Sequence, residues 1–363
     1  MNGQSHSEHH NRRDFLTGRA LRGQVERAGD VLADALAESV GPRAVPVAGD
    51  TVRLSTRAMA CDWSVVLNPG SAERIVVASD ALDLVHVLED QMTVYREHGE
   101  LSRLNARAFR EPVVVERRLF ELLSLARRIS VETERAFDPT SGPLIALWRR
   151  CRLEGRVPTQ SEIDVHLRQT GIEHVAFDDE QSAVSFAREG LELNLGAIGK
   201  GHGVDRAGEL LDSRGLGDWL VHGGRSSILA RGDHCGLGGW PVGIQNPFLT
   251  NERLATIVLR DSAMATSGSN IQHFRHGGRR YGHILDPRTG WPAEQLLSVT
   301  VLAPTAALAD ALSTAFFVAG VEKARAYCHN YPGVGALLIP RPETGRRLDP
   351  VLCGIPEEML FFA

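Results

Sequence analysis

Residues 282–290 combine four kinds of chemistry in one short stretch: Gly-His-Ile-Leu-Asp-Pro-Arg-Thr-Gly. The proline fixes one φ angle and Gly290 is free to adopt a positive one, so this loop should hold its polar groups in place. His283 is the candidate general base, because an imidazole near its unperturbed pKa can accept a proton at neutral pH. Asp286 and Arg288 are expected to shape the loop as a turn carboxylate and its ion-pair partner.

A second candidate site is rich in glycine. Residues 193–205 carry glycines at positions 196, 199, 201 and 203, and an apolar stripe of helical spacing begins at Val204. A glycine-rich loop that enters a helix can bring backbone N–H groups close to an anion, and Lys200 adds a positive charge, so phosphate binding is one interpretation. The spacing matches neither the Walker nor the Rossmann pattern. A turn that needs positive φ angles is the other interpretation, and the sequence leaves both open.

The third candidate lies on a helix predicted over residues 306–319. Asp310, Ser313 and Thr314 stand at i, i+3 and i+4, so a carboxylate and two hydroxyls share one face. That face could be solvated. It carries no lysine, arginine or glutamate and is flanked by Phe317, which favours a cavity whose oxygen atoms bind Mg²⁺.

The elements that must position these residues form an α+β pattern. Strands are predicted at residues 52–54, 63–67, 219–221, 242–245, 254–259 and 298–302. Helices are predicted after an N-cap at Asp80, over residues 116–132, and over 306–319 between the N-cap Thr305 and the stop signal Gly320. Residues 100–105 are predicted as a polar turn. Many short strands separated by glycines argue against a doubly wound parallel sheet.

Composition narrows the class of protein. The chain has 363 residues, 43% of them hydrophobic, which is enough to bury a large core. Its formal net charge of -5 provides no basic field, so nucleic acid is not expected as a partner. The five cysteines are odd in number and form no Cys-x-x-Cys pair, which indicates neither a disulfide framework nor a zinc site. No apolar run is long enough for a transmembrane segment.

The first residues differ in character from the rest. Arg12 and Arg13 resemble a twin-arginine export signal. The apolar segment of about 7 to 15 residues that such a signal needs does not follow them. We therefore interpret residues 1–45 as a polar leader or a degenerate signal, with a short amphipathic helix over 24–39, and residues 46–363 as the folded domain. A cytoplasmic location is favoured, and twin-arginine export stays open.

Several segments taken together resemble the ApbE family of FAD:protein FMN transferases. They occur in the family's order at Met59, Tyr95 with 100–105, 136–144, 196–201 with Asp205, 223–224, 265–268, 283–290 and 310–315. Each segment alone is a weak signal. Their ordered occurrence between residues 57 and 326 is highly specific.

The resemblance implies a fold, an activity and a set of site residues. The fold would be a single large α+β domain with T-fold-like antiparallel sheets packed with helices. The activity would be Mg²⁺-dependent transfer of FMN from FAD, through a phosphoester bond, to a threonine or serine hydroxyl of an acceptor protein, with release of AMP. His283 would be the catalytic base. The residues that contact FAD would be Met59, Tyr95, Ala136, Phe137, Asp138, Asn194, Lys200 and Ile284. The metal ligands would be the Ala197 carbonyl, Asp310, Ser313 and Thr314.

The chemistry of these residues agrees with such a reaction. Cleavage of a pyrophosphate needs charge neutralisation, which Mg²⁺, Lys200 and backbone N–H groups can supply. A protein hydroxyl is a weak nucleophile and needs a base such as His283.

Two features depart from the family pattern. Asn194 stands where the family usually has aspartate, which keeps hydrogen bonding and loses a negative charge. We expect neither the family's usual export signal nor its lipid-anchor cysteine in this sequence. An FAD-binding protein, or an FAD pyrophosphatase that forms FMN and AMP without protein transfer, therefore stays open as the alternative.

Overall fold

The computed structural model describes residues 50–249, 251–269 and 273–363. The predicted leader, its helix over 24–39 and the boundary at residue 46 lie outside these ranges. None of the helices within them combines the length and the apolar composition that a membrane span requires.

Strands and helices alternate along the described chain. The strands are β1 Val52–Ala58, β2 Cys61–Leu67, β3 Val113–Val114, β4 Val175–Asp178, β5 Ala183–Phe186, β6 Trp219–Gly223, β7 Ser227–Arg231, β8 Trp240–Gln245, β9 Arg253–Leu259, β10 Ser262–Gly268, β11 His273–His276, β12 Arg279–Gly282, β13 Leu296–Ala303, β14 Gly335–Pro340, β15 Val351–Cys353 and β16 Leu360–Phe362. The helices are α1 Ala72–Met92, α2 Glu100–Arg107, α3 Arg117–Glu132, α4 Gly142–Leu153, α5 Gln160–Leu167, α6 Gly199–Ser213, α7 Ala306–Ala319 and α8 Val321–Asn330.

An eight-stranded sheet is the centre of the fold. Its strand order is β1-β2-β6-β7-β10-β13-β14-β15, and its neighbouring strands pair antiparallel. Smaller antiparallel sheets are formed by β16-β9-β8, β3-β5-β4 and β11-β12. The prediction of an α+β fold with antiparallel sheets packed with helices is confirmed.

The two faces of the large sheet pack against different layers. One face carries Trp63, Trp219 and Leu229 and lies under α6, because Gly203 and Gly208 of that helix approach these side chains. The opposite face belongs to a second apolar cluster with the sheet of β8, β9 and β16. The helical layer therefore covers only one side of the large sheet.

Several strand ends meet at one rim of this sheet. Trp63 near the start of β2 pairs with Gly223 at the end of β6, and Ala265 in the middle of β10 pairs with Ser227 at the start of β7, so the last residues of β10 extend beyond β7 at this rim. The β1–β2 turn at Met59 and Ala60 and the β6–β7 turn lie at the same rim. Both turns use left-handed φ angles, 49° and 59° at Met59 and Ala60 and 62° and 59° at Gly224 and Arg225. The two-residue β1–β2 turn has the pair of positive φ angles expected for a hairpin on twisted strands.

Helices α6 and α7 approach each other at backbone distance. An ideal Cβ on Gly201 would lie 2.1 Å from the Ala306 carbonyl oxygen. None of the four glycines between 196 and 203 has a positive φ angle. The interpretation of this stretch as a turn that needs positive φ angles is therefore wrong, because Gly199, Gly201 and Gly203 lie inside α6 and permit close packing.

Helix bounds and turns predicted from local sequence signals agree with the structure in some segments and differ in others. The helix over 306–319 is confirmed, with the Thr305 hydroxyl accepting from the Leu308 N–H and Gly320 at a φ of 84°. The predicted N-cap at Asp80 is wrong, because α1 already begins at Ala72. The predicted polar turn is also wrong, because residues 100–105 lie in α2.

The error at α2 has a clear physical reason. Leu101 and Leu104, three residues apart, are fully buried on one side of the helix. This pair gives α2 an apolar face, so tertiary packing overrides its polar composition.

The α6–α7 contact predicts the effect of Gly201→Ala. The added methyl group would meet backbone atoms that cannot rotate away, so we expect the free energy of unfolding to fall by about 1 to 3 kcal/mol. Gly217→Ala is the matched control, because an ideal Cβ there has no atom within 4 Å. Urea denaturation of both variants would measure the difference. Equal stability of the two variants would contradict the close contact.

Burial of His202 predicts a dependence of stability on pH. Burial, together with the nearby Arg206 guanidinium, lowers the pKa of His202 from 6.5 to about 4. The neutral imidazole is favoured in the folded state, so this contribution is present above pH 6.5 and is lost as the pH falls through 4. We expect His202→Gln to reduce the loss of stability between these pH values, by up to about 3 kcal/mol. Denaturation curves across this range test it, and a slope equal to that of the exposed-residue variant His329→Gln would contradict it.

Candidate active site

Asp310 of α7 is the polar centre of the site. Its side chain is only 6% exposed. Its Oδ2 accepts a hydrogen bond from the Gly201 N–H at 3.0 Å and lies 3.3 Å from Lys200 Nζ. Its Oδ1 accepts from the Ser227 hydroxyl at 3.0 Å. One carboxylate thus joins α7 to the start of α6 and to β7.

The hydrogen bond from the Gly201 N–H to Asp310 leaves the Ala197 carbonyl without its usual helical donor. In a regular helix the Gly201 N–H would bond to the carbonyl four residues earlier, and here it bonds to Asp310. No donor among the described residues bonds to the Ala197 carbonyl oxygen instead. This oxygen is therefore available to a ligand beside the start of α6.

Three further hydroxyls, besides that of Ser227, belong to the cluster around Asp310. Ser313 is fully buried, and its hydroxyl donates to the Asp310 carbonyl at 2.9 Å. The Ser267 hydroxyl lies 2.9 Å from the hydroxyl of Ser313 and 3.3 Å from that of Thr314. Ser267 was not among the predicted site residues, although residues 265–268 contributed to the resemblance. The sequence signal for Ser267 is its hydroxyl near the end of a strand. The fold then brings this strand end next to Ser313 and Thr314.

These oxygens fit a magnesium ion that also binds phosphates. Mg²⁺ prefers hard oxygen ligands and is commonly held by one or two carboxylates together with substrate phosphates. The residues around Asp310 offer one carboxylate, hydroxyls and the free Ala197 carbonyl. Within the described residues no group of three or more histidines, cysteines, aspartates and glutamates could hold a metal by itself. The donor set therefore suits an ion shared with a phosphate ligand.

Lys200 lies at the rim of the large sheet, beside the hairpin turns. Its Cδ and the Cys61 Sγ both lie within 4 Å of the position that a Cβ would take on Gly224. Met59 lies close by, with its Cε 3.4 Å from an ideal Cβ on Gly203. Burial raises the pKa of Cys61 to about 11, although Lys200 opposes this shift. The Cys61 thiol therefore stays protonated at neutral pH and is not a nucleophile.

The loop of residues 282–290 has the rigidity that its sequence indicates. The Arg288 guanidinium donates to both carboxylate oxygens of Asp286, at 2.8 and 2.9 Å, and the Asp286 carboxylate also accepts from the Arg288 N–H. Gly290 has a φ of 74°. The predicted roles of Asp286, Arg288 and Gly290 in shaping the loop are confirmed. His283 is exposed directly after β12, whereas Ile284 is buried in the main core.

Helix α4 holds this loop in position. The indole N–H of Trp148 donates to the Gly290 carbonyl at 2.8 Å. An ideal Cβ on Gly290 would lie 2.5 Å from Ile163 of α5, so the loop fits closely against both helices. Tyr95 is 69% exposed, and the Arg149 guanidinium of α4 lies 4.7 Å from its ring centroid. Helix α4 thus contacts two predicted ligand-binding segments.

The segment before α4 directs its side chains inward. Ala136 and Phe137 are buried in the main core. The Asp138 carboxylate is 0% exposed, accepts from the N–H and hydroxyl of Thr140 at 2.9 and 2.6 Å, and pairs with Arg135 at 2.9 Å. The side chains of these three predicted FAD contacts are therefore engaged within the protein.

Asn194 forms a turn that needs only an amide oxygen. Its Oδ1 accepts from the Gly196 N–H at 2.9 Å, as an aspartate at this position could also do. Its backbone N–H donates to the Pro139 carbonyl at 2.7 Å. This bond joins the glycine-rich stretch to the Asp138 segment.

The structure thus places the predicted site residues in two groups. The first group is centred on Asp310 and contains Ala197, Lys200, Ser313 and Thr314, with Met59 beside Gly203 of the same helix α6. The second group contains Tyr95 and the loop of His283, which α4 contacts, together with Ala136, Phe137 and Asp138 in the segment before α4, and Ile284 in the main core. The hydrogen bond from Asn194 to Pro139 is one link between them. A second link is the bond from Arg280 Nη2, three residues before His283, to the carbonyl of Ser269, two residues after Ser267.

Comparison with known proteins identifies the family of the chain. The sequence model of the ApbE family matches residues 59–338, more than three quarters of the chain. The chain belongs to the ApbE family. The matched range contains all of the predicted site residues, from Met59 to Thr314.

ApbE proteins from several bacteria are similar over most of their length. An FAD:protein FMN transferase of Klebsiella pneumoniae strain 342 is 32% identical over 267 residues, which is 73% of this chain and 82% of that protein. The structure of the ApbE protein of Thermotoga maritima superposes with a TM-score of 0.74 at 29% identity and covers 83% of this chain and 96% of its own. The flavin transferase ApbE from Vibrio cholerae gives 0.73 at 31% identity, with 84% and 97% covered.

The geometry at Asp310 predicts the effect of Asp310→Asn. The amide keeps one acceptor, removes the charge that pairs with Lys200 and places NH₂ protons near the Gly201 N–H or Ser227 hydroxyl. We expect the free energy of unfolding to fall by about 1 to 3 kcal/mol, because buried donors lose their acceptor. Asp212→Asn is the control, since that carboxylate also pairs with an indole N–H and an arginine but is 43% exposed. Equal losses in urea denaturation would show that Asp310 is not the anchor.

Proposed function

We propose that this protein transfers the FMN half of FAD to a threonine or serine hydroxyl of an acceptor protein and releases AMP, with Mg²⁺ as the required ion. The observation that carries the proposal is the cluster around Asp310, where a buried carboxylate, Lys200, three hydroxyls and a free carbonyl oxygen lie together. Membership of the ApbE family supports the choice of FAD, since relatives named FAD:protein FMN transferase match over most of this chain.

The cluster suits the pyrophosphate of FAD. The Ala197 carbonyl, Asp310, Ser313 and Thr314 would hold Mg²⁺, which when bound neutralises negative charge on the phosphates. Lys200 is 24% exposed at the edge of this cluster, so its ammonium group can turn from Asp310 towards a phosphate oxygen. Ser267 would hold the hydroxyls of Ser313 and Thr314 in their orientation, because it lies within hydrogen-bond distance of both.

The remaining predicted residues would bind FAD in two ways. Tyr95 offers an exposed aromatic ring, and Met59 offers a thioether beside the rim of the sheet. Both side chains suit contact with the flat ring faces of the ligand. Ala136, Phe137, Asp138 and Ile284 have buried side chains, so we assign their contribution to the backbone and to the shape of the wall. Asn194 would act by orienting the glycine-rich stretch through Gly196.

The transfer step exchanges the phosphoanhydride bond of FAD for a phosphoester bond to the acceptor. The acceptor hydroxyl oxygen attacks the phosphorus of the FMN half, the bond from that phosphorus to the bridging oxygen breaks, and AMP leaves with that oxygen. His283 takes the proton of the hydroxyl. Its imidazole is exposed directly after β12, so an acceptor protein can reach it. The loop made rigid by Asp286, Arg288 and Trp148 keeps the imidazole in place.

The test is incubation of the purified chain with FAD, Mg²⁺ and a peptide that contains one threonine, with AMP release and peptide mass as readouts. We expect a mass gain of one FMN per peptide and its loss in EDTA. His283→Ala should reduce the rate by about 10²- to 10⁴-fold, since it removes the base. His276→Ala is the matched control on the same hairpin, and we expect it to retain activity.

Other outcomes would select other functions. AMP release without a mass gain would indicate an FAD pyrophosphatase. FAD that binds and stays intact would indicate a binding protein. Equal activity of His283→Ala and His276→Ala would remove His283 from the mechanism.

A further inference from the structure

The hairpin that leads to His283 is strongly basic. It consists of β11 and β12 and contains His273, Arg275, His276, Arg279 and Arg280 within eight residues. In its register Phe274 faces Tyr281, Arg275 faces Arg280, and His276 faces Arg279. Because side chains alternate across a strand, the first and third pairs share one face and the Arg275–Arg280 pair lies on the other.

The side chains on the first face have partners within the protein. Phe274 and Tyr281 stack at 5.3 Å and pack on Trp148 of α4, which lies 6.1 and 5.8 Å from the two rings. Arg279 pairs with Glu294 at 3.1 Å, and His276 bonds to the Gly155 carbonyl at 3.0 Å. This face therefore has a structural role and anchors the hairpin to α4.

The second face collects positive charge. Three arginines, Arg152, Arg275 and Arg280, lie near His273, and Arg341 lies near Arg280. We call these four residues the arginine patch. Burial, then Arg280, Arg275 and Arg152, lowers the pKa of His273, and burial, then Arg341 and Arg275, lowers that of Arg280. The strand register places Arg275 opposite Arg280, and these charge effects add Arg152 on the side of His273 and Arg341 on the side of Arg280.

The arginine patch is exposed, and three of its members form no ion pair with a carboxylate among the described residues. All four arginines are exposed at the surface. Among the described residues no carboxylate forms an ion pair with Arg152, Arg275 or Arg341. Like charges directly opposite each other in a sheet are destabilising, so the Arg275–Arg280 pair costs stability in the isolated protein. An anionic partner would remove this cost.

The patch adjoins the candidate active site. Gly282, the last residue of β12, immediately precedes His283. Arg280 Nη2 donates to the Ser269 carbonyl at 2.6 Å, and Ser269 lies two residues after Ser267 of the hydroxyl cluster. At about 3.3 Å per residue of extended chain, Arg280 lies about 10 Å along the backbone from His283.

We propose that the arginine patch binds an acidic stretch of the acceptor polypeptide and thereby places its hydroxyl at His283. The inference rests on the proposed function, because the partner is the protein that receives FMN. An extended acceptor would carry its aspartates or glutamates about two to four residues to one side of the threonine. Carboxylates suit this surface because guanidinium groups bind them through paired hydrogen bonds.

Peptide binding to the full chain tests the proposal without any need for catalysis. The probes are two fluorescein-labelled peptides with one threonine, of which one has three acidic residues at the stated spacing and the other has asparagine and glutamine there. We expect fluorescence anisotropy to show tighter binding of the acidic peptide, weakened by added salt. Arg275→Gln should weaken it by about two- to fivefold, as for an exposed ion pair.

Arg279→Gln is the matched control, because it removes a charge from the same hairpin on the face that pairs with Glu294. We expect it to leave peptide affinity unchanged. Arg275→Gln should not lower the thermal midpoint of unfolding, because it removes repulsion from Arg280. A variant that fails to fold would therefore be identified by a lowered midpoint, independently of its peptide affinity.

Three results would overturn the proposal. These are equal binding of the acidic and neutral peptides, equal effects of Arg275→Gln and Arg279→Gln, and a rise in the Kd for FAD in Arg275→Gln with peptide affinity unchanged. The last result would assign the patch to the dinucleotide. Failure of FMN transfer in the mass assay, with selective binding of the acidic peptide intact, would reject the transferase function and not the acidic-binding surface.

Discussion

The carboxylate of Asp310 is the constraint on which the rest of the site depends. A nearly buried negative charge is stable only when donors surround it. Here the donors come from Lys200 and the Gly201 N–H at the start of α6 and from Ser227 of β7. The relative positions of two helices and a strand are therefore tied to one side chain.

Helix α4 has a corresponding role on the other side of the site. The Trp148 indole holds the loop of His283 by one hydrogen bond and supports the basic hairpin by ring packing. Arg149, the next residue, covers one face of the ring of Tyr95. Neighbouring residues of a single helix thus position the candidate base, a candidate ligand contact and the surface that we assign to the acceptor.

Sequence reasoning succeeded where the signal is local. The caps and apolar residues of α7 fix its bounds, and the proline, glycine and Asp286 of residues 282–290 fix the shape of that loop. It failed where tertiary contacts decide the structure. Gly201 was expected in a loop, yet its function is an approach to Ala306, more than a hundred residues away.

The same limit explains two further gaps. The hydroxyl of Ser267 can be assigned to the site only from its contact with Ser313, 46 residues later in the chain. No local pattern could show that predicted FAD contacts such as Phe137 and Asp138 have buried side chains. The two spatial groups of site residues are likewise a property of the fold, because α4 and α7 are far apart in the chain.

The ion pair between Lys200 and Asp310 has a thermodynamic consequence for ligand binding. Lys200 cannot direct its charge fully to Asp310 and to a phosphate at the same time. A phosphate that attracts Lys200 leaves the Asp310 carboxylate more negative and more attractive to a cation, and a cation at Asp310 releases Lys200 for the phosphate. A nucleotide and a metal ion bound at these groups would therefore be coupled ligands, and each would raise the affinity for the other by the same factor.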